Sequence, residues 1–205
     1  WKELIEYGDL FYFLIKRDVL VIYKQTVLGF TWAIIRPVFS MIIFSVVFSG
    51  LAKIPSDGIP YPIFSYAALI PWTYFSAAMN ASSKSLISDK GIFTKVYFPR
   101  LIIPLTPVLS KLVDFLIAFI ILFGLMAWYD IRPTVNLVFL PILMLMMMLT
   151  ASGIGIWLSA MAIQYRDIPQ GVGFLSQLLM YAAPVVWPLS LLQERYGELV
   201  MLVYG

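Results

Sequence analysis

LVFLPILMLMMMLTASGIGIWLSAMAI, residues 137 to 163, runs for 27 positions without one Asp, Glu, Lys or Arg. About 20 apolar residues in a helix cross the roughly 30 Å hydrocarbon core of a bilayer, so this stretch predicts a membrane crossing. Within it Ala151, Gly155 and Ser159 recur every four positions, a stripe of small side chains that lets a second helix approach closely. The methionine run ahead of the stripe reads as lipid-facing or core packing.

Outward from this segment the same reading predicts four further crossings. Residues 105 to 128 form one, with Lys111 and Asp114 three positions apart on one helical face near its start. Residues 59 to 80 form another, interrupted by Pro71, whose freed carbonyl must be satisfied by neighbouring helices, hydroxyl side chains or water. Residues 31 to 50 carry Arg36 and Pro37 near their start, where a long basic side chain can snorkel to the headgroups. Residues 171 to 187 complete the set. The remaining segment, 188 to 205, is amphipathic but too short and charged to cross, which predicts short re-entrant helices at the outer face.

Residues 1 to 26 precede the first crossing as an amphipathic interface helix. Lys2, Glu3, Glu6, Asp9, Lys16, Arg17 and Lys24 share one side, and Leu4, Ile5, Phe11, Ile15, Val19 and Ile22 the other. Asp18 falls on the apolar side next to Arg17 and therefore calls for a partner or for water. Residues 81 to 104 read as the one sizeable polar loop, holding Lys84, Lys90, Lys95 and Arg100 against the single acid Asp89. The expected fold is thus an all-α integral membrane protein, one membrane domain over 1 to 205, with no internal repeat.

Composition agrees. Hydrophobic residues make up 61% of the 205 and charged residues 12%, about half the charged share of an average soluble domain. Cys and His are absent, which removes disulfides, thiolate nucleophiles, imidazole bases and the usual zinc sets. Eleven of the 14 Lys and Arg lie in the N-terminal segment, the 81 to 104 loop, the 164 to 170 turn and the adjoining Arg36 and Lys111; Lys53, Arg132 and Arg195 lie on the other side. The positive-inside rule then predicts a cytoplasmic N-terminus.

No G-x-x-x-x-G-K-[ST], H-E-x-x-H or G-x-S-x-G occurs. Asp114 is the sole acid within a predicted crossing, whereas ion-driven transporters keep ionisable groups at mid-membrane. Any uphill movement must therefore draw on another subunit, and an enzyme is disfavoured. Aromatic residues are plentiful around the second and fifth crossings. Interfacial belts account for many of them; Tyr66, Trp72, Tyr74, Phe174, Tyr181 and Trp187 are the candidates for a conduit, since ring faces pack on the C–H faces of sugars while phenols hydrogen-bond.

Taken together, KRDVLVIYKQTVLGFTWAIIRPVFS (16 to 40), LAKIPSDGIPYPIFSYAALIPWTYFS (51 to 76), KVYFPRLIIPLTPVLSKLVDF (95 to 115), QYRDIP (164 to 169) and APVVWPLSLL (183 to 192) resemble, in order and spacing, the transmembrane subunit of bacterial type-2 ATP-binding-cassette exporters of polysaccharide. That family moves O-antigen, capsule or teichoic acid. The resemblance implies a homodimeric permease in the cytoplasmic (inner) membrane, paired with two ATP-hydrolysing subunits that hold ATP and Mg²⁺, and a lipid-linked glycan as cargo. No cofactor is implied in this chain, and no nucleic acid.

The resemblance also implies roles by position. Arg17 and Asp18 would sit on the interface helix and, with Arg36, serve the lipid carrier. Lys95, Val96, Tyr97, Phe98, Pro99 and Arg100 would end a coupling loop that docks into the ATPase, and Tyr165, Arg166 and Asp167 would form the second cytoplasmic turn. Lys84, Lys90, Lys95 and Arg100 would steer a carrier pyrophosphate, or simply obey the positive-inside rule. Pro184 to about Leu202 would gate the exit, and a sixth crossing is expected beyond Gly205, as is an earlier start than Trp1. Two competing classes remain: a type-2 permease for a drug or other hydrophobic cargo, and a membrane scaffold that needs no ATPase.

Overall fold

The computed structural model describes residues 6–24, 31–51, 53–54, 56, 58–89, 91, 98–185 and 187–188. Among them there are helices and no strands. Helix α1 is Gly8–Lys24. Helix α2 is Thr31–Phe44, continued by a π-helical turn over Ser45–Leu51. Helix α3 is Tyr61–Ser88, α4 is Ile102–Trp128, α5 is Leu140–Gln164 and α6 is Ile168–Ala182.

Prolines mark the starts. Pro62, Pro141 and Pro169 each stand in the first turn of α3, α5 and α6, where the missing N–H has no intrahelical acceptor to serve. The turns between helices lie where Gly, Asp and Pro cluster: Gly58 adopts φ 82 before α3, and Asp130 adopts φ 54 after α4, a left-handed conformation that Asp tolerates better than most residues.

Among the described residues three segments are long and apolar enough to cross a membrane: Thr31–Leu51, Ile102–Trp128 and Val135–Gln164. They coincide with the expected crossings at 31 to 50, 105 to 128 and 137 to 163. Helix α3 has 28 residues, about 42 Å at 1.5 Å each, but its serine-rich second half dilutes its hydropathy. Helix α6 has only 15 residues.

Helix α3 is the hub, packing against α2, α4, α5 and α6, while α1 packs across α4. The main core gathers Met41, Tyr66, Ile70, Tyr74, Val108, Phe115, Leu122 and Ala151. Within it the rings of Tyr74 and Phe115 lie 5.1 Å apart and those of Phe115 and Phe119 4.8 Å apart, spacings typical of edge-to-face aromatic pairs. The small-residue stripe does what its spacing predicts: Ala151, Gly155 and Ser159 are the buried face of α5. A Cβ on Gly155 would come 2.4 Å from Ser82 Oγ, so α3 and α5 touch nearly backbone to backbone. Met144, Met147 and Met148 pack on the core while Met146 faces outward, 61% exposed.

One expectation is corrected. Residues 81 to 88 are not part of a polar loop but the last two turns of α3, which runs to Ser88. Ser82, Ser83 and Ser85 are buried there. Ser83 Oγ donates to Asn80 O at 2.8 Å, and Ser85 Oγ to Ser82 O at 2.7 Å. A serine that returns its hydroxyl to its own helix can be buried without an orphaned donor. Helix α6 likewise begins three residues before the expected 171 and ends at Ala182, before 187. Most of the 188 to 205 segment lies outside the described residues.

Candidate functional site

Polar side chains of α1 meet the other helices at two points. At the first, Arg17 Nε and Nη2 both donate to Asp18 Oδ1, at 3.0 and 2.7 Å, and Nη2 also reaches Asp89 Oδ2 at 3.2 Å. Asp89 caps the C-terminus of α3, so a single guanidinium ties α1 to α3. Burial works against the Arg17 charge, but the hydrogen bonds from Asp18 and Asp89 outweigh it and hold the guanidinium above its ordinary pKa. Asp18, which needed a partner, has its sequence neighbour. Nothing in the spacing of residues pointed to the second carboxylate, 72 positions away.

At the second point the Tyr23 hydroxyl donates to Asp114 Oδ1. Burial and then that hydrogen bond push the phenol well above its ordinary pKa, so Tyr23 stays a neutral donor. Lys111 Nζ, one turn before Asp114 on α4, lies 3.3 Å from Asp114 Oδ2. These groups border a cavity of about 250 Å³ between the end of α1, the start of α2, and the facing sides of α3 and α4. Arg36, the third expected carrier contact, stands on its α2 wall with its guanidinium over the Trp32 ring, 5.3 Å from the centroid.

The six conduit candidates separate into three places. Tyr66 is fully buried in the bundle core with its hydroxyl unbonded among the described residues, and Tyr74, also buried, donates to Val108 O at 3.1 Å and borders the cavity. Trp72 and Trp187 come together with Phe44 and Phe48 around Leu69 and Val185; Trp187 Nε1 donates to Tyr181 O at 3.1 Å. Phe174 and Tyr181 lie on the outer face of α6, 64% and 52% exposed. Gln170 and Gln177 are exposed beside them, at the helical spacing 170, 174, 177, 181 that puts amide and ring alternately on one face. The sequence contained this alternation, but only the exposure of that face gives it meaning. On the inner side Ser176 accepts a hydrogen bond from Asn80 Nδ2 at 3.2 Å, which holds α6 to α3.

Of the coupling-loop residues, Lys95 and Tyr97 lie outside the described residues, as do Lys90 and Val96. Phe98 is 4% exposed, packed with Leu14, Leu86, Ile102 and Ile103 beneath Tyr7, Leu10 and Phe11 of the α1 segment. Its side chain packs under α1 and leaves little of itself exposed. Arg100 is exposed, and so are Tyr165, Arg166 and Asp167 in the turn between α5 and α6. Both turns sit at the same end of the bundle, because Ser82 near the foot of α3 donates to Pro104 O at 2.8 Å and meets Gly155 on α5.

Residues 9–204 match the ABC-2 type transporter family. Among curated proteins the chain is 27% identical over 202 residues to the O-antigen export system permease protein RfbA of Myxococcus xanthus, covering 98% of this chain and 76% of that one. It is 26% identical to the Klebsiella pneumoniae protein of the same name, over 94% of this chain and 74% of the relative. A more distant relative, the polysialic acid transport protein KpsM of Escherichia coli, is 23% identical over 90% of this chain and 72% of its own length. A match that takes in α1, the hub helix α3 and both turns at the foot of the bundle leaves one assignment: the chain is a membrane protein that belongs to the ABC-2 type transporter family.

Proposed function

We propose that this chain is the permease subunit of an ATP-driven exporter that carries a lipid-linked polysaccharide of the O-antigen kind across the cytoplasmic membrane. The observation that carries the reading is the likeness to relatives named as O-antigen export permeases, which covers 94 to 98% of the chain. The absence of a phosphate-binding loop supports a division of labour: ATP and Mg²⁺ bind a separate subunit, and two permease chains pair with two of them.

In this reading α1 lies in the cytoplasmic interface, and α2 to α6 make five crossings with the N-terminus inside. The exposed Arg100, Arg166 and Asp167 form the surface that receives the push of the ATPase, and Lys95, Tyr97 and Pro99 extend it. Phe98 transmits that push into α1 through its packing. Rigid-body movement of the two permease halves then opens a conduit between them. The exposed face of α6, where Phe174 and Tyr181 alternate with Gln170 and Gln177, suits a passing glycan: rings pack on sugar C–H faces and amides exchange hydrogen bonds without holding one site tightly.

The test is ATPase activity of the permease purified with its candidate ATP-binding subunit, alongside surface polysaccharide in cells that lack the chromosomal permease. Assembly, ATP hydrolysis and restored surface polymer together support the proposal. A chain that binds no ATPase subunit overturns it.

A further inference from the structure

Three kinds of side chain divide the circumference of α6. At about 100° per residue, Gln170, Phe174, Gln177 and Tyr181 form one stripe, Leu175, Leu178 and Leu179 a second, and the buried Val172 and Ser176 belong to a third. The stripes stand roughly 120° apart. The first two are exposed alike, Phe174 at 64% and the three leucines at 55%, 50% and 49%. Burial of apolar surface therefore does little to decide which of them faces lipid. The third stripe meets α3 through Gly173 and Ser176, small residues that let helices approach closely but lack the interlocking bulk that would fix a rotation.

What fixes it is polar. Asn80 on α3 is half-buried; its Nδ2 donates to Ser76 O of its own helix at 2.8 Å and to Ser176 Oγ of α6 at 3.2 Å. Ser76 O can only accept, which settles which end of the amide is nitrogen. Asn80 Oδ1 then lies over Gly173, where a Cβ would stand 3.5 Å from it. Ser176 donates its own hydroxyl hydrogen to Val172 O at 2.7 Å, leaving its lone pairs to receive the amide. The amide is wedged between two α6 residues three positions apart. A roll of α6 in either direction carries Ser176 away and leaves an amide hydrogen unpaired, which is costly in apolar surroundings.

We infer that Asn80 is a positioning residue: through Ser176 it sets the rotation of α6, so that the stripe of rings and amides faces the path of the cargo and the leucine stripe faces lipid. Asn80 acts through α6 and not by contact with the cargo. The consequence for cargo rests on the export reading, whereas the rotation itself does not.

The 205 residues contain no cysteine, so a single spin label can be placed at will on α6. Cysteine substituted in turn at Phe174, Leu175, Gln177, Leu178, Leu179 and Tyr181, labelled in the full chain in phospholipid bilayers, gives a periodic profile of collisions with dissolved oxygen whose maximum marks the lipid-facing side. In the parent chain the maximum is expected at Leu175, Leu178 and Leu179. Asn80→Leu keeps the bulk and removes the amide, and Ser176→Ala removes the acceptor from the other side. Each should move the maximum by about one residue, roughly 100°. A maximum that stays in place in either variant, once gel filtration shows it folded, overturns the proposal.

Gly173→Ala alters the packing of the same face but leaves the amide bond, and it should keep the parent maximum. A shift as large as that of Asn80→Leu would assign the rotation to packing and overturn the proposal as well. Surface polysaccharide is read separately in cells whose permease carries Asn80→Leu and no label, and should fall by about threefold or more. A moved maximum with full export overturns the link to cargo and takes α6 out of its path. An unmoved maximum removes the role of Asn80 and leaves the export reading standing.

Discussion

Gly155 on α5 faces Ser82 on α3 so closely that a Cβ at Gly155 would stand 2.4 Å from Ser82 Oγ and 2.8 Å from Ser82 Cβ. Ser82 cannot swing away freely, because its hydroxyl is bonded to Pro104 O at 2.8 Å and ties in α4 as well. Three helices therefore meet at one small-residue contact. Gly155→Ala is expected to destabilise the chain by about 1–3 kcal/mol through overpacking, read as a lower midpoint of thermal aggregation in detergent. Ser82→Gly should recover much of that loss in the double variant, since it removes both clashing atoms; additive losses would show that the contact is looser than the structure has it.

Phe98 and Arg100 stand two residues apart in the connection to α4, but their environments predict opposite phenotypes. Phe98 is buried under α1, and Phe98→Ala should cost about 3–5 kcal/mol, as truncation of a core aromatic does. Arg100 is exposed, and Arg100→Ala should leave stability within about 0.5 kcal/mol while weakening stimulation of the ATPase subunit. Thermal stability of the permease alone, measured beside ATPase activity of the complex, separates the two effects. A destabilised Arg100→Ala would move that residue out of the docking surface.

This pair also shows where the sequence was informative and where it was not. Long apolar runs carry their own signal, so the expected 137 to 163 crossing falls within three residues of Leu140–Gln164 at each end. The stripe at 151, 155 and 159 was equally legible, because helical spacing alone puts small residues on one face. Ala81–Ser88 was not, since its serines look like loop polarity until their hydroxyls are seen bonded to carbonyls of the same helix. The meeting of Arg17 with Asp89, and of Tyr23 with Asp114, depends on tertiary packing between distant segments. A lone acid in a basic loop gives no hint of which cation will find it. The same holds for Arg36 and Lys111, each visible as an isolated charge near a helix start and meaningful only once α2 and α4 enclose one cavity.

The Arg17 bridge should be a positioning contact and not a large source of stability. Arg17 and Asp89 are only partly buried, at 29% and 27% side-chain exposure, and pairs of that kind contribute about 0.2–1 kcal/mol. A double-mutant cycle of Arg17→Gln and Asp89→Asn should give a coupling energy in that range, decreasing as salt is raised. Limited proteolysis should meanwhile cut near α1 faster in either single variant. An unchanged cleavage pattern in Asp89→Asn would mean that the Phe98 cluster and the Tyr23–Asp114 bond hold α1 without it.

Phe174 and Tyr181 offer the sharpest test of how cargo passes. Both rings are exposed on α6, and neither belongs to the buried clusters of the chain. Phe174→Ala and Tyr181→Ala should therefore change stability by no more than about 0.5 kcal/mol. If sugars slide over this face, each variant should lower the amount or length of surface polysaccharide, the pair more than either alone, while ATP hydrolysis by the assembled complex continues. Leucine at the same positions restores apolar bulk without a flat ring, so a leucine pair that exports as poorly as the alanine pair would assign the effect to ring–sugar contact. Full export by the alanine pair would place the glycan's path on another face of the bundle.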